Sequence, residues 1–205
     1  MKTDYRLYLV TEESVPIDGL LSIVDEAIKG GVTMVQLREK RNSGRIFLEK
    51  AVRLKELTNR FQIPLIINDR IDIAMAAGAD GVHVGQQDLP LTEVKKIISP
   101  SMIVGVSAGT IEEALDAERD GADYIGVGAV FPTASKDNAK LLSDGMLEKI
   151  IDAVTIPVVA IGGIKYETIS TIRDLKIAGI AVVSEIMNAE KPYEAARLLR
   201  EELGG

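Results

Sequence analysis

Short apolar runs rich in Val, Ile and Leu alternate along the chain with longer stretches whose apolar residues recur every three or four positions. The runs are Leu7–Val10, Met34–Leu37, Pro64–Ile67, Gly81–Val84, Ile103–Val106, Tyr124–Val127, Pro157–Ile161 and Ile180–Val183. Each is nearly all apolar rather than strictly alternating, which is the pattern of a parallel strand covered on both faces. Between them, Leu20, Leu21, Val24, Ala27 and Ile28 form one helical stripe, and Phe47, Ala51, Leu54, Leu57 and Phe61 a second. Ile111, Ala114 and Leu115 form a shorter third, and Ala196, Leu199 and Leu203 a last one, with Pro192 suited to that helix's first turn. Gly30-Gly31, Gly78, Gly121 and Gly179 stand just before strands, where left-handed helix stops are expected. The segment Gly78–Gly85 echoes Gly121–Gly128, as if one helix-to-strand joint were used twice. Strands alternating with helices imply right-handed crossovers and a parallel sheet. Eight such units in 205 residues predict one domain over 1–205, a (β/α)₈ TIM barrel with an eight-stranded parallel sheet.

Composition narrows this picture. With 46% hydrophobic but only 4% aromatic residues and no Trp, the core must be aliphatic. A net charge of −7 argues against a broad nucleic-acid or membrane footprint, while leaving room for a small anionic substrate met by local charge. The absence of Cys excludes disulfides, thiol catalysis and Cys-ligated metal centres. No signal-peptide core and no apolar run of membrane-spanning length is present, so a cytoplasmic protein is expected.

In a barrel of this kind, chemistry gathers at the C-terminal ends of the strands. After the second strand stands Gln36-Leu37-Arg38-Glu39-Lys40, where alternation puts Gln36, Arg38 and Lys40 on one face. An Arg fork and a Lys ammonium together suit a diphosphate, and a solvated charged strand end is the plainer alternative. Asn68-Asp69-Arg70 follows the third strand and Gln86-Gln87-Asp88 the fourth, so Asp69 and Asp88 share a rim. Two carboxylates beside those cations suggest Mg²⁺ bridging protein and phosphate, whereas Asp69 alone would serve as a helix N-cap. Ser107 follows the fifth strand, with Thr110 placed to cap the next helix. Thr133, Ala134, Ser135 and Lys136 lie in an irregular loop, Pro132–Gly145, that suits a mobile cover over a site. Gly162-Gly163 after the seventh strand and Val183-Ser184 after the eighth match the backbone nest that holds a monophosphate in many barrels. The single histidine, His83, sits inside an apolar strand and reads as a core residue. Two anion sites on one rim suggest the joining of two phosphorylated molecules with pyrophosphate as leaving group.

These segments, together with Gly105-Val106-Ser107-Ala108, Gly126-Val127-Gly128, Phe131-Pro132-Thr133 and Val158–Ile164, resemble in order the successive motifs of the thiamine phosphate synthase family. The resemblance implies condensation of hydroxymethylpyrimidine pyrophosphate with hydroxyethylthiazole phosphate, assisted by Mg²⁺, with pyrophosphate departing ahead of attack. It implies that Gln36, Leu37, Arg38, Glu39, Lys40, Asn68, Ser107 and Lys136 hold the pyrimidine pyrophosphate. Arg38, Lys40, Ser107 and Lys136 would act on the leaving group, and Asp69 and Asp88 would hold the metal. Thr133, Ala134, Ser135, Gly163, Val183 and Ser184 would hold the thiazole phosphate. Neither nucleic acid nor membrane is an expected partner, and the pattern does not separate a homodimer face from core.

The sequence departs from the family pattern at Gly109, where histidine is common, at Ala129, where proline is frequent, and at Ser135, which replaces threonine. A related thiazole tautomerase uses a histidine from the loop after the fifth strand, and Gly109 stands there. Other phosphate-binding barrels would explain Gly162-Gly163 and Ser184 but not a second, carboxylate-bearing anion site. A non-catalytic binding barrel remains the third alternative.

Overall fold

The computed structural model describes residues 3–133 and 140–204. Eight parallel strands, each paired with the next and the last with the first, close a barrel. They are β1 (Leu7–Val10), β2 (Met34–Leu37), β3 (Leu65–Asn68), β4 (Gly81–Val84), β5 (Ile103–Ala108), β6 (Tyr124–Val127), β7 (Val158–Ile161) and β8 (Gly179–Val182). Around them run α1 (Ile17–Lys29), α2 (Gly44–Phe61), α3 (Ile71–Ala77), α4 (Leu91–Ile97), α5 (Ile111–Arg119) and α6 (Met146–Ala153). A 3₁₀ turn over Tyr166–Thr171 replaces a full helix between β7 and β8, and α7 (Ser184–Met187) and α8 (Pro192–Glu202) close the chain. The expected barrel is thus the observed one, with strand ends moved by a residue or two. No helix among the described residues is long and apolar enough to cross a membrane.

Two apolar layers hold it. The larger lies between strands and helices, where outward residues such as Leu9, Leu37, Ile67 and Val182 meet Leu20, Val24, Leu54 and Leu199. The smaller fills the barrel interior with Tyr5, Tyr8, Val10, Met34, Ile66, Tyr124, Val159 and Ala181. Period-two alternation sends neighbouring strand residues into different layers, so a run that looks uniformly apolar is two half-patterns superposed.

The helical stripes hold with two exceptions. Leu115 is 43% exposed and Phe61 36%, and the buried face of α5 is instead Ala114 and Ala117. Four residues separate Ile111 from Leu115, but the shorter Ala114–Ala117 pair lets α5 lie close to the strands. Ser43 caps α2 and Thr110 caps α5, each accepting a backbone N–H three residues on. Pro192 occupies the first turn of α8.

The internal echo has a physical reading. Gly78 and Gly121 end α3 and α5 at φ of 63° and 87°. The following residue donates back into the helix, Ala79 to Ala74 and Ala122 to Ala117. The Asp two residues after each glycine then turns its carboxylate to the start of a neighbouring strand. Asp80 accepts from Leu65 N–H at 2.7 Å and Asp123 from Val104 N–H at 2.8 Å. Gly179 is not a helix stop. It lies within β8, where an added Cβ would stand 1.9 Å from the carbonyl oxygen of Tyr5, so the glycine permits close approach of β1.

Candidate active site

The loop after β2 carries Arg38, Glu39 and Lys40, and its shape comes from two acids that do not face a ligand. Glu13, in the loop after β1, accepts the backbone N–H groups of Lys40, Arg41 and Asn42 at 3.0, 2.6 and 2.6 Å. Burial pushes the Glu13 carboxyl up, but those three N–H donors and Arg41 outweigh it, and its proton affinity is lowered. Glu39 is buried and pairs with Lys50 of α2 at 2.8 Å, and Asn42 Nδ2 donates to its other oxygen. The side chain of Glu39 therefore anchors the loop rather than facing the rim, and that of Leu37 packs in the outer layer. Gln36, Leu37 and Glu39 are buried, Arg38 is half-buried and Lys40 exposed, so exposure rises along the Gln36, Arg38, Lys40 face toward the rim.

At the ends of β3 and β4 the two carboxylates meet. Asp69 sits at φ 60°, a left-handed conformation that Asp tolerates better than most residues, in a tight turn where Arg70 N–H returns to the Asn68 carbonyl at 2.7 Å. It is not the N-cap of α3. That position belongs to Arg70, without a side-chain cap bond, and the Asp69 carboxylate instead accepts from Lys40 Nζ. Asp88 accepts from Gly85 N–H at 2.7 Å. Burial, with the adjacent Asp69 carboxyl, raises the proton affinity of Asp88 against the opposing pull of Gly85 N–H and Lys40. Lys40, Asp69 and Asp88 thus form a contiguous row of one cation and two anions. Among the described residues no group of three or more His, Cys, Asp or Glu is placed to hold a metal, so any cation here would draw its remaining ligands from substrate and water.

Beside this row, Asn68 ends β3 at 7% exposure, and its Nδ2 is one of two buried side-chain nitrogens with no partner among the described residues. A donor left idle in a buried place costs on the order of 1–3 kcal/mol, so such a group normally has an acceptor to meet. Ser107, in β5, lies 2.9 Å from His83 Nε2, and its carbonyl oxygen accepts from Gln86 Nε2 at 2.7 Å.

Across the rim, Gly162 and Gly163 stand at φ 99° and 64°. A Cβ on Gly163 would lie 2.5 Å from the Pro132 oxygen and 2.7 Å from that of Phe131. The glycines are therefore needed first for loop-to-loop contact, with Val130 and Phe131 donating to the carbonyls of Ile161 and Gly162 at 3.0 and 2.9 Å. That contact carries Thr133 toward the turn after β7. Val183 precedes α7 and Ser184 opens it, and the first N–H groups of a helix have no intrahelical partner. Ala134, Ser135 and Lys136 lie outside the described residues. Of the Pro132–Gly145 loop, the far end is pinned, since Ala129 donates to Lys140 at 3.1 Å and accepts from Leu142 at 2.9 Å. The first of these bonds needs an N–H that proline would lack, which accounts for alanine at 129. Nothing in the structure requires glycine at 109, where an added Cβ would meet only Glu113 at 3.6 Å.

Sequence reasoning missed Glu13 and Lys50, which shape the loop after β2, and Tyr8 and Tyr124, which connect to Gln36, His83 and Ser107 from inside the barrel. The only sequence trace of Tyr124 is glycine at strand position 105, where a small residue marks close packing.

Residues 7–186 match the family model described as thiamine monophosphate synthase. The thiamine-phosphate synthase of Ruminiclostridium cellulolyticum is 51% identical over 201 residues, covering 98% of this chain and 96% of that protein. The thiamine-phosphate synthase of Clostridium acetobutylicum is 50% identical over 197 residues, covering 96% and 93%. Among solved structures, thiamine phosphate pyrophosphorylase from Pyrococcus furiosus superposes with a TM-score of 0.89 at 37% identity, covering 98% of this chain and 96% of that one. The chain belongs to the thiamine monophosphate synthase family.

Proposed function

We propose that this enzyme, a transferase, moves the hydroxymethylpyrimidine group from its pyrophosphate to the ring nitrogen of hydroxyethylthiazole phosphate, giving thiamine phosphate and pyrophosphate. One C–O bond breaks and one C–N bond forms, and the electron pair of the broken bond leaves with pyrophosphate. The observation that carries the reading at the level of chemistry is the row Lys40, Asp69 and Asp88 beside the idle amide of Asn68.

Two carboxyl groups held together beside a lysine fit a divalent cation, because the burial and, after it, the neighbouring Asp69 carboxyl that raise the proton affinity of Asp88 are what such a cation offsets. Mg²⁺ held by Asp69 and Asp88 would neutralise the diphosphate and so favour its departure. Arg38, Lys40 and Lys136 supply the remaining positive charge, Asn68 Nδ2 and Ser107 Oγ donate to diphosphate oxygens, and Gln36 faces the pyrimidine. Thr133, Ser135, Gly163, Val183 and Ser184 hold the thiazole phosphate across the rim. No general acid–base pair is required, so the work of the residues is position and electrostatics. The missing histidine at 109 favours this reading over tautomerisation.

The test is a coupling assay with both substrates and Mg²⁺, the product being oxidised to fluorescent thiochrome. Product that disappears with EDTA and returns with Mg²⁺ supports the reading. Folded protein without product refutes it, and product unaffected by EDTA refutes the metal role of Asp69 and Asp88.

A further inference from the structure

Five polar side chains from five strands join through the barrel interior. Gln36 Nε2 donates to Tyr8 Oη at 2.7 Å, and Tyr8 Oη lies 2.9 Å from Tyr124 Oη. Tyr124 Oη lies 3.0 Å from His83 Nδ1, and His83 Nε2 lies 2.9 Å from Ser107 Oγ. Tyr8 and Tyr124 are 1% and 0% exposed, so water does not compete for their hydroxyls. Two strand glycines make the room. A Cβ on Gly105 would lie 2.1 Å from Tyr124 Cζ, and one on Gly126 would lie 3.2 Å from His83 Cε1.

The chain has a direction, fixed at one end. An amide nitrogen only donates, so Tyr8 Oη accepts from Gln36 and sends its own proton to Tyr124. Tyr124 then sends its proton to His83 Nδ1, which must be bare. A neutral imidazole with bare Nδ1 carries its proton on Nε2, and that proton goes to Ser107 Oγ. The hydroxyl proton of Ser107 is thereby released from the chain. In the opposite direction Ser107 would donate to His83 and present only lone pairs to an anion.

We propose that this directional chain holds His83 as its Nε2–H tautomer and so sets Ser107 as a donor to the departing phosphate, with Tyr124 and His83 as positioning residues that act through Ser107. It rests on the reading above that Ser107 meets the diphosphate. The same chain ties the orientation of Gln36, at the pyrimidine, to the donor aimed at the leaving group, so both ends of one substrate are read by one ordered unit.

His83 is the chain's only histidine, so ¹⁵N-histidine labelling gives the signals of a single ring. In the wild-type protein at neutral pH the Nε2–H tautomer is expected, and a Nδ1–H tautomer or an imidazolium overturns the proposal without any substrate being present. Kinetics then use Ser107→Ala, Tyr124→Phe and the double variant. Each single change is expected to lower kcat about 10- to 100-fold, the range for one hydrogen bond to a charged group, with KM for both substrates little changed. Tyr124→Phe should also mix the His83 tautomers. The double variant should be no slower than Ser107→Ala within about threefold, because Tyr124 acts only through Ser107. Independent, multiplying losses, or wild-type kcat in Tyr124→Phe, overturn the proposal. Wild-type kcat in Ser107→Ala instead overturns the site assignment beneath it, while leaving the tautomer result standing. Tyr124→Phe keeps the ring that fills the space over Gly105, and if it does not fold, the wild-type tautomer still decides.

Discussion

Replacing Lys50 with Met should both destabilise the protein and disable a loop that Lys50 does not belong to. The Lys50 and Glu39 side chains are 6% and 0% exposed and pair at 2.8 Å, and Lys50 Nζ also donates to the Glu13 carbonyl at 3.1 Å. Lys50→Met strips Glu39 of its cation and leaves its carboxylate buried with Asn42 as the remaining partner. Breaking one half of a buried pair costs about 3–5 kcal/mol, since the surviving charge is uncompensated. For a chain of this length each kcal/mol moves the midpoint by about 2–4 °C, so a fall of roughly 6–20 °C is expected in a thermal melt. The double variant Glu39→Gln with Lys50→Met removes the stranded charge and should recover most of that loss. In the thiochrome assay below both midpoints, Lys50→Met should raise KM for the pyrimidine pyrophosphate, because Arg38 and Lys40 ride on the loop that Glu39 and Glu13 hold. A midpoint within about 1 °C of wild type would refute the reasoning, since it would mean the pair is open to water and worth the small amount of a surface salt bridge. A double variant as unstable as the single one would refute the stranded-charge explanation.

Asp88→Asn keeps the bond from Gly85 N–H but removes one of two adjacent carboxylates, so Mg²⁺-dependent coupling should fall by at least about 100-fold while the metal-free protein melts no lower than wild type, as activity against Mg²⁺ concentration and melts in EDTA would show. The proton affinity of Asp88 is raised in the folded state, so its contribution to metal-free stability is full below the ordinary carboxyl range near 3.8 and is lost as pH rises through the higher folded value. Added Mg²⁺ should therefore raise the melting midpoint more at pH 7 than at pH 4, and a shift that is equal at both would count against the carboxylate site. Gly163→Ala sets a Cβ against the Pro132 and Phe131 oxygens at a positive φ, so it should raise KM for the thiazole phosphate about tenfold or more and leave KM for the pyrimidine pyrophosphate near wild type in the same assay.

What the sequence disclosed depended on whether the signal was local. All eight strands were legible because a strand covered on both faces is apolar at nearly every position, and Thr110 and Pro192 because caps act within one turn. Asp69 and Asp88 were legible as a pair because neighbouring parallel strands must bring their C-terminal ends to one rim. The role of Glu39 was not, because the alternation that turns it from the rim does not say that Lys50, one α2 turn past Phe47, will be there to neutralise it. Leu115 and Phe61 were misplaced because a helical stripe fixes relative angles and not how far the strip reaches around the helix. His83 was read as a core residue and is buried, yet its partners Tyr124 and Ser107 stand 41 and 24 positions away, a pairing set by the stagger of a closed barrel and by no local pattern.

That stagger also explains why a polar chain can run through the middle of the fold. Barrel interiors are ordinarily packed with branched aliphatic side chains, and here Gln36, Asn68, His83 and Ser107 occupy inward positions near the rim. The outer layer, between strands and helices, is several times larger and mostly aliphatic, with Phe47 as its one fully buried aromatic among the described residues, so most of the area buried on folding lies outside the barrel. Toward its N-terminal end the interior is apolar, with the rings of Tyr5 and Tyr124 5.1 Å apart at a 40° tilt in one cluster with Met34 and Ile66. Moving toward the rim, tyrosine is the residue that changes character along its own length, with a ring in the apolar plug and a hydroxyl in the polar chain. Tyr8 and Tyr124 thereby let the interior pass from packing to chemistry within one layer of side chains, and each buried hydroxyl has two hydrogen-bond partners as it does so. A phenylalanine at either place would keep the plug and break the chain. Tyr124→Phe leaves the Tyr8 hydroxyl and His83 Nδ1 short of a buried partner, which costs on the order of 1–3 kcal/mol and should lower the melting midpoint by about 2–12 °C, while kcat measured well below that midpoint should still be much reduced.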